Sequence, residues 1–313
     1  MKQRLTENKL ILIKRRTRLD EMIVRYNTVN QAKFYIEHQN ADFSDYQAEH
    51  DQYNQALRET ESWLGEFGRV QVVDRAFLPN FIFGKDDTIV VLGQDGLVAN
   101  TVKYAPALPI IGVNPDPKRW DGVLLPFTVQ DLPKIVPEVF NQRRGFQEVS
   151  MAKAQLNNGQ TLYAVNDFFV GVKSHTSARY TLQIGNQKEQ QSSSGVIIST
   201  GLGSTGWFTS LMRGALEVAS RISGQTLSHQ YFQKLSWDAD MLYYTVREPF
   251  PSKTSATNLV FGAITPATPL KLISQMSEAG VIFSDGIERD FLEFNSGTQA
   301  TITLAEEKGH LIV

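Results

Sequence analysis

The chain has 313 residues, of which 42% are hydrophobic, with a formal net charge of −2 and no cysteine. Its length predicts two domains, and its near-neutral charge argues against nucleic acid or an anionic membrane as partner. The missing cysteines exclude disulfides, thiolate metal sites and a cysteine nucleophile. No apolar run approaches the ~20 residues that cross a bilayer, and no secretory-signal pattern is recognised, so a cytoplasmic protein is expected.

Short apolar strands alternate with helical patterns in the first half of the chain. Strands are predicted at 10–14, 70–73, 89–92 and 110–113. Helices are predicted at 18–38, from Ser44 or Asp45 to Phe67, after Gly96, and at 131–140. The helices are assigned from apolar residues that recur every three or four positions and from capping residues at their ends. The alternation predicts an α/β domain over residues 1–145, built on a parallel sheet.

The pattern changes to antiparallel β after about residue 145. Residues 146–171 are interpreted as two alternating strands around Asn158-Gly159, and Gly185-Asn186 predicts a second hairpin turn. Further strands are predicted at 242–247, 259–262, 270–273 and 300–304, with one helix at 206–222. We therefore expect a mainly antiparallel, β-rich domain over 146–313, whose last residues pack back on the first domain.

Asp95 stands between Gly93 and Gly96 where a predicted strand stops and a helix begins, in VVLGQDGLVANTVKY. Open backbone amides at such a tip can hold a phosphate beside a carboxylate that acts as general base. Asp95 can equally be a solvated turn residue or a helix cap. If position 94 requires a positive φ, glutamine costs about 1 kcal/mol or more there.

A second glycine-rich stretch, residues 201–206, spells G-x-G-x-x-G between a strand and a helix. In a Rossmann unit this loop would hold a pyrophosphate, and an acidic residue would end a parallel strand about 20 residues on. Residues 223–235 contain no acid and no strand pattern. A nucleotide-contacting loop of another type is therefore favoured, and a simple strand-to-helix turn stays open.

Other catalytic signatures are missing from the sequence. There is no Walker A pattern, and Ser204 lacks the G-x-S-x-G surroundings of a hydrolase nucleophile. No metal-ligand spacing links the five histidines, which are His38, His50, His175, His229 and His310. No metal site built from protein side chains is predicted.

The two glycine-containing loops together resemble the NAD kinase family. In that family a GGDG loop ends a strand of an N-terminal α/β domain, and a T-G-S-T-A-Y-like loop lies in a β-rich C-terminal domain. The segments PIIGVNPDP, YAVNDFFVG, TVREPF and FSDGI resemble further family segments in the same order. NPDPKRWDG, SARYTLQI and VREP are most similar to the mitochondrial-type branch.

The resemblance implies a role for each matched residue. Gly93, Gln94 and Gly96 would face the transferred phosphate, and Asp95 would take the proton from the adenosine ribose 2′-hydroxyl of NAD. NAD would be bound by Asn114, Asn166, Asp167, Gly203, Ser204, Thr205 and Trp207. ATP with Mg²⁺ would be the phosphoryl donor. We also expect a homo-oligomer, either a dimer or a tetramer.

The sequence departs from the family pattern at several of these positions. Gln94 replaces the second glycine, Leu97 replaces a threonine hydroxyl, and Asp167 replaces a glutamate. Gly206-Trp207 stands where the family has Ala-Tyr, and Trp207 can be either a stacking surface or a core residue.

Three functions remain open on these grounds. The first is ATP-dependent phosphorylation of NAD to NADP. The second is nucleotide binding by an NAD-kinase fold with lost or altered kinase activity. Gln94 and Leu97 favour it, whereas the retained Asp95, Asn166 and Ser204-Thr205 disfavour it. The third is a kinase of another small hydroxylated acceptor, such as a sugar or a lipid.

Overall fold

The computed structural model describes residues 6–227 and 234–313. The chain divides into two compact units, Met1–Gln147 with His310–Val313, and Glu148–Gly309. His229 and residues 228–233 of the stretch 223–235 lie outside the described residues.

A seven-stranded sheet forms the centre of the first unit. Its strands are β1 (Lys9–Lys14), β2 (Arg69–Asp74), β3 (Thr88–Leu92), β4 (Pro109–Asn114), β5 (Phe127–Thr128), β6 (Phe146–Val149) and, late in the chain, β19 (Gly309–Ile312). Their order is β2-β1-β3-β4-β19-β6, with β5 also paired to β4. All pairs among β1 to β5, and the pair β19–β4, are parallel. Every residue of β3 is buried, which is typical of a parallel strand covered on both faces.

In the described part of this unit, five α-helices accompany the sheet: α1 (Arg18–Tyr26), α2 (Val29–His38), α3 (Phe43–Phe67), α4 (Asp95–Val102) and α5 (Leu132–Phe140). The prediction of one helix over 18–38 is wrong. Asn27 ends α1 with a φ of 66°, and the hydroxyl of Thr28 accepts a hydrogen bond from the Gln31 amide to start α2. Asparagine tolerates the left-handed conformation and threonine caps well, so local chemistry interrupts a continuous apolar period.

The cap of α3 also differs from the prediction. The carboxylate of Asp42, rather than Ser44 or Asp45, accepts a hydrogen bond from the Ser44 amide at 2.8 Å. The carboxylate of Asp45 instead accepts hydrogen bonds from Arg18 and Arg119.

Two six-stranded antiparallel sheets pack face to face in the second unit. Their strands are β7 (Ala152–Leu156), β8 (Thr161–Ala164), β9 (Asp167–Val172), β10 (Ala178–Ile184), β11 (Gln187–Ser193), β12 (Val196–Ser199), β13 (Leu242–Val246), β14 (Phe261–Ile264), β15 (Leu270–Ser274), β16 (Gly280–Ser284), β17 (Ile287–Glu293) and β18 (Gln299–Leu304). One sheet has the order β11-β10-β15-β18-β7-β8, and the other β14-β13-β12-β9-β16-β17. Phe168, Tyr180 and Tyr244 are buried in the core that the two sheets share.

A single helix among the described residues of this unit, α6 (Trp207–Ser223), lies on the outer face of the second sheet. Its Phe208 packs against Phe169, Ile197 and Val281, which alternate along their strands with residues of the inter-sheet core. This face therefore carries aromatic and aliphatic side chains although it does not face the other sheet.

The hairpins predicted at Asn158-Gly159 and Gly185-Asn186 are confirmed, since they join β7 to β8 and β10 to β11. The prediction of only two strands over 146–171 is wrong, because parts of β6 to β9 share this stretch. Between β8 and β9 the inward positions Leu162, Ala164, Phe168 and Val170 keep an even spacing, so the pattern alone hides that bend. The strand predicted at 259–262 begins two residues later, at Phe261.

Candidate functional site

The GQDG loop connects β3 to α4 with ordinary backbone geometry. The Gly93 amide donates to the Val113 carbonyl at 3.2 Å and continues the β3–β4 ladder. Gln94 is extended, with φ −127° and ψ 162°, and neither Gly93 nor Gly96 has a positive φ. The condition under which Gln94 would be strained is therefore not met, and glutamine carries no such cost at this position.

Leu97 is buried beneath the loop, with 2% of its surface exposed. A Cβ atom on Gly93 would lie 2.8 Å from Leu97 Cδ2, so a larger residue at position 93 would have to displace the Leu97 side chain. The leucine at this position is a core contact of the loop. It does not leave a gap where a hydroxyl would otherwise face a ligand.

Asp95 is the first residue of α4 and is half-buried. Its Oδ1 accepts a hydrogen bond from the Leu124 amide at 2.7 Å. No described residue donates a hydrogen bond to Oδ2. One carboxylate oxygen is thus fixed by the backbone, and the other remains able to accept a proton from a ligand.

The loop that follows β4 supplies the Leu124 amide. Asn114 is 4% exposed, its Nδ2 donates to the Trp120 carbonyl at 2.9 Å, and its Oδ1 accepts from the Asp116 amide at 3.0 Å. Asn114 therefore shapes this loop from within. Its predicted contact with NAD stays a prediction.

Two glycines let this loop lie flat against β4. A Cβ atom on Gly112 would be 2.1 Å from the Leu124 carbonyl oxygen, which no side chain could tolerate without moving the loop. Gly122 has a φ of 66°, and a Cβ atom there would be 2.6 Å from Asn114 Nδ2. The position of the amide that holds Asp95 thus depends on both glycines.

An ion-pair network ties the end of β1 and α3 to the same loop. Arg15 Nη2 donates to Glu49 at 2.9 Å, and Arg18 pairs with Glu49 and with Asp45, the latter at 2.7 Å. Arg119 Nη2 donates to Asp45 at 2.6 Å. The hydrogen bonds from Arg119 and then Arg18 lower the pKa of Asp45 to about 2.

Glu49 is the buried member of this network, with 3% of its surface exposed. Burial opposes its ionisation, but the hydrogen bonds from Arg18 and Arg15 outweigh that effect and lower its pKa. Sequence reasoning missed the network because its members lie far apart along the chain. The available signal was the basic run RRTR, residues 15–18, directly after a predicted strand.

In the second unit, a bend at Val165-Asn166 is held by the carboxylate of Asp285. Its Oδ1 accepts from the amides of Asn166 at 2.7 Å, Val165 at 3.1 Å and Asp167 at 3.3 Å. Asp285 itself has a φ of 56° in the turn between β16 and β17. The half-buried carboxamide of Asn166 makes no hydrogen bond to a described residue, so it is free to meet a ligand.

Asp167 lies beside this bend and is 9% exposed. Burial raises its pKa to about 7, the nearby charge of Asp285 acts in the same direction, and a hydrogen bond from Ser199 opposes both. Its Oδ1 has no hydrogen-bond partner and lies 2.8 Å from the place where a Cβ atom on Gly203 would be. A substantial part of Asp167 is therefore protonated near neutral pH.

The glycines of the G-x-G-x-x-G stretch are explained by packing within the unit. A Cβ atom on Gly201 would lie 1.8 Å from the Ser236 carbonyl oxygen, and one on Gly203 would lie 2.1 Å from the Asn166 carbonyl oxygen. The preceding strand β12 is antiparallel to both of its neighbours. A Rossmann unit, which needs parallel strands, is excluded here.

The hydroxyl groups of this loop are engaged with its own backbone. Ser204 is fully buried and its Oγ donates to the Gly201 carbonyl at 2.7 Å. The hydroxyl of Thr205, an exposed residue, donates to the Leu202 carbonyl at 3.0 Å. Contacts of either residue with NAD stay predictions.

Trp207 is a surface residue, not a core residue, with 40% of its surface exposed. Its ring is nearly parallel to that of Phe169, at 6.3 Å between centroids and 20° between planes. Arg247 Cζ lies 5.7 Å from the centroid of the Trp207 ring. Asn166, Asp167 and Gly203 lie around the same end of β9, so the structure brings the predicted residues of the second unit together.

Gly93, Gln94, Asp95, Gly96 and Asn114 likewise lie together, at the carboxyl ends of β3 and β4 in the first unit. That these residues and those of the second unit form one site stays a prediction. Among residues 6–227 and 234–313, no group of three or more His, Asp or Glu side chains could hold a metal ion. In the same residues no helix is long and apolar enough to cross a membrane.

No protein-family model and no curated protein sequence matches the chain. Solved structures do match it. Yeast NADH kinase, complexed with NADH, is 14% identical with a TM-score of 0.61, and the match covers 98% of this chain and 84% of the yeast chain. An NAD kinase from Archaeoglobus fulgidus, in complex with ATP, is 15% identical with a TM-score of 0.53, and the match covers 97% and 93%.

The architecture thus belongs to the class in which an α/β unit with a parallel sheet accompanies a β-rich antiparallel unit, as the sequence predicted. Within that class, the protein has the fold of the NAD kinases. The similarity to the mitochondrial-type branch stays a prediction.

The ion-pair network generates the first testable prediction. We expect Arg119→Gln to lower the melting temperature above about pH 4 and to have little effect near pH 2. Because the pKa of folded Asp45 is depressed to about 2, its stabilisation is present above the ordinary value of 3.8 and disappears as the pH falls through about 2. Thermal unfolding as a function of pH measures this, with the exposed Arg58→Gln as control; equal melting temperatures for the two variants would contradict it.

A second testable prediction follows from the close contact at Gly112. Gly112→Ala should destabilise the protein by about 1–3 kcal/mol or more, because the added methyl group overlaps the Leu124 backbone. Gly65→Ala is the matched control, since nothing lies within 4 Å of its Cβ position and alanine favours a helix by about 1 kcal/mol. Urea denaturation should give shifts of opposite sign, and a neutral Gly112→Ala would refute the packing described for this loop.

A third testable prediction follows from the burial of Asp167. Because its folded pKa of about 7 lies above its ordinary value of 3.8, Asp167 destabilises the fold increasingly as the pH rises through this range. We expect Asp167→Asn to be more stable than the wild type above about pH 7 and equal to it below about pH 4. Melting curves across this range test the expectation. The exposed Glu278→Gln should show no such trend, and a pH-independent Asp167→Asn difference would be inconsistent with a buried acid.

Proposed function

We propose that the protein is a phosphotransferase that moves the γ-phosphate of ATP to the adenosine ribose 2′-hydroxyl of NAD, giving NADP. The observation that carries this proposal is the geometry of Asp95, whose Oδ1 is fixed by the Leu124 amide while Oδ2 has no described donor. The fold supports it, because structures with the same fold are a yeast NADH kinase complexed with NADH and an archaeal NAD kinase in complex with ATP.

Asp95 would act as the general base of the transfer. Its Oδ2 accepts the proton of the 2′-hydroxyl as that oxygen bonds to the γ-phosphorus of ATP. The bond between the γ-phosphorus and the β,γ-bridging oxygen breaks, and ADP leaves with that electron pair. Phosphoryl transfer otherwise depends on positioning and on stabilising negative charge, to which the first amides of α4 contribute.

Gly93, Gln94 and Gly96 would lie along the phosphates of ATP in this reaction. The described residues offer no cluster of carboxylates for a metal ion. Mg²⁺ would therefore be carried mainly by the phosphates of ATP, as is usual for this cation, and would neutralise their charge.

NAD would be held by the second unit together with Asn114. The exposed indole of Trp207 offers a surface for the adenine ring, and the free carboxamide of Asn166 can hydrogen-bond a ribose hydroxyl. Asp167, Gly203, Ser204 and Thr205 complete the proposed pocket. A homo-oligomer and a cytoplasmic location remain part of the same proposal.

A second candidate is a nucleotide-binding protein that no longer transfers phosphate. It is favoured by Gln94, a half-exposed side chain that makes no capping hydrogen bond at the start of α4 and can occupy the space of a phosphate. A kinase of another hydroxylated acceptor, such as a sugar or a lipid, is the third candidate, because Asp95 would serve any alcohol equally well.

The test is formation of NADP or NADPH from NAD or NADH with ATP and Mg²⁺. Asp95→Asn keeps the shape of the side chain but removes its basicity, so kcat should fall by about 10²- to 10⁴-fold with little change in nucleotide affinity. The exposed Asp51→Asn on α3 is the control and should be fully active. Asp95→Asn that turns over like the wild type would rule out the mechanism.

Gln94→Gly separates the first two candidates. Because Gln94 is unstrained, this substitution relieves no backbone strain, and its expected effect on turnover comes from opening space beside the phosphates. Higher turnover in Gln94→Gly would mean that the glutamine obstructs the donor. A wild type and a Gln94→Gly variant that both bind NAD but form no NADP would instead support the binding protein.

A further inference from the structure

Arg247 has an unusual environment for a largely buried arginine. Its side chain is 29% exposed, and its Nε is buried without a hydrogen-bond partner. No described residue accepts a hydrogen bond from its guanidinium group. Arg15 and Arg119 also have a buried Nε without a partner. However, Arg15, Arg119 and Arg144, whose side chains are 10%, 26% and 23% exposed, each donate from an Nη atom to a carboxylate at 2.6–2.9 Å.

The backbone holds Arg247 firmly in place just after β13. Its amide donates to the Gly195 carbonyl at 2.8 Å, and its carbonyl accepts from the Ser194 amide at 2.9 Å. The position of the guanidinium group is therefore set by the sheet. A cation removed from water without a hydrogen-bonded anion is unfavourable, and such groups in proteins are normally paired.

The guanidinium group of Arg247 contacts an aromatic ring instead of an anion: the centroid of the Trp207 ring lies 5.7 Å from Arg247 Cζ. A cation over an indole ring offsets part of the desolvation, but the ring accepts none of the five N–H groups. Glu248 does not accept a hydrogen bond from Arg247 either, because its carboxylate is 3.6 Å from Nε and its side chain is 63% exposed. The donors of Arg247 therefore stay available to an anion.

The surroundings of Arg247 narrow the class of that anion. Trp207 is exposed beside it and offers a flat aromatic surface. Trp207 is also the first residue of α6, where Gly206 provides no side-chain cap and the helix dipole adds positive potential. A flat ring next to a planar guanidinium group matches a nucleotide, whose base stacks on an indole and whose phosphate accepts paired hydrogen bonds from arginine.

We propose that Arg247 binds a phosphate group of the nucleotide whose adenosine part lies on Trp207. The proposal rests on nucleotide binding by this unit, as in the function proposed above, but not on phosphoryl transfer. The phosphate is either the 5′-phosphate side of the dinucleotide or the 2′-phosphate that the proposed reaction creates. Both have the same chemistry toward arginine.

Substitution of Glu248 should change the affinity for phosphate in the opposite direction to substitution of Arg247. Its carboxylate lies near the same guanidinium group and repels an incoming phosphate. Removing its charge while keeping its shape, as in Glu248→Gln, should therefore tighten phosphate binding. Loss of affinity in Arg247→Gln and gain in Glu248→Gln together would not arise from a merely structural role of either residue.

The experiment is calorimetric titration of the full chain with 5′-AMP, 2′-AMP and adenosine. The wild type should bind one of the two phosphates about tenfold or more tightly than adenosine, since a charge-assisted pair contributes about 1.5–3 kcal/mol. Arg247→Gln should bind that phosphate and adenosine equally, and Arg247→Lys should keep part of the preference. Arg221→Gln, a change of the same charge on α6 at an exposed arginine paired with Glu217, should behave like the wild type.

The outcomes separate this proposal from the proposed reaction. A wild type that binds both phosphates no better than adenosine, or an Arg247→Gln variant that keeps the preference, overturns the role of Arg247 even if NADP is formed. A preference lost in Arg247→Gln supports it even if no NADP is formed. If Arg247→Gln fails to fold, as judged by its melting curve, the Arg247→Lys and Glu248→Gln affinities decide; no change in either overturns the proposal.

Discussion

The hydrogen bond from the Leu124 amide to Asp95 Oδ1 determines what the first unit can do. It fixes the carboxylate in orientation, and it exists only because the loop after β4 lies directly on that strand. Gly112 permits the close approach, and Asn114 holds the loop's shape from inside. The asparagine and the glycines of this region thus act through Asp95, whatever ligand the unit binds.

The second unit uses a carboxylate for a related purpose. Asp285 gathers three successive amides of the Val165–Asp167 bend, which frees the side chain of Asn166 and turns Asp167 inward. The two acids of the predicted site consequently differ in character. Asp95 is half-buried and keeps one oxygen without a described donor, whereas Asp167 is buried and its pKa is raised to about 7. Only the former has the geometry of a base for a ligand hydroxyl.

The sequence predicted the features whose causes are local. Apolar runs located β1, β3 and β4, and Asn158-Gly159 located a hairpin, because strand burial and turn geometry depend on neighbouring residues. The break at Asn27 was missed since the apolar period continues across it. The Arg119–Asp45 and Asp285–Asn166 contacts join residues 74 and 119 positions apart, and no short pattern encodes such pairs. Whether Gln94 is strained depends on its φ, which a comparison of motifs does not give; the extended backbone found there excludes the strain.

The position of β19 has a consequence for how the protein is made. This strand, Gly309–Ile312, lies between β4 and β6 in the sheet of the first unit, although the whole second unit separates it from them in sequence. During synthesis the first sheet therefore stays incomplete until the second unit has been made, with β5 paired to one half of that edge of β4 and the half at Pro109–Ile110 still unpaired. An open apolar edge is prone to pair with other chains. The interval between emergence of β4 and arrival of β19 is thus the period in which a nascent chain would benefit most from a chaperone.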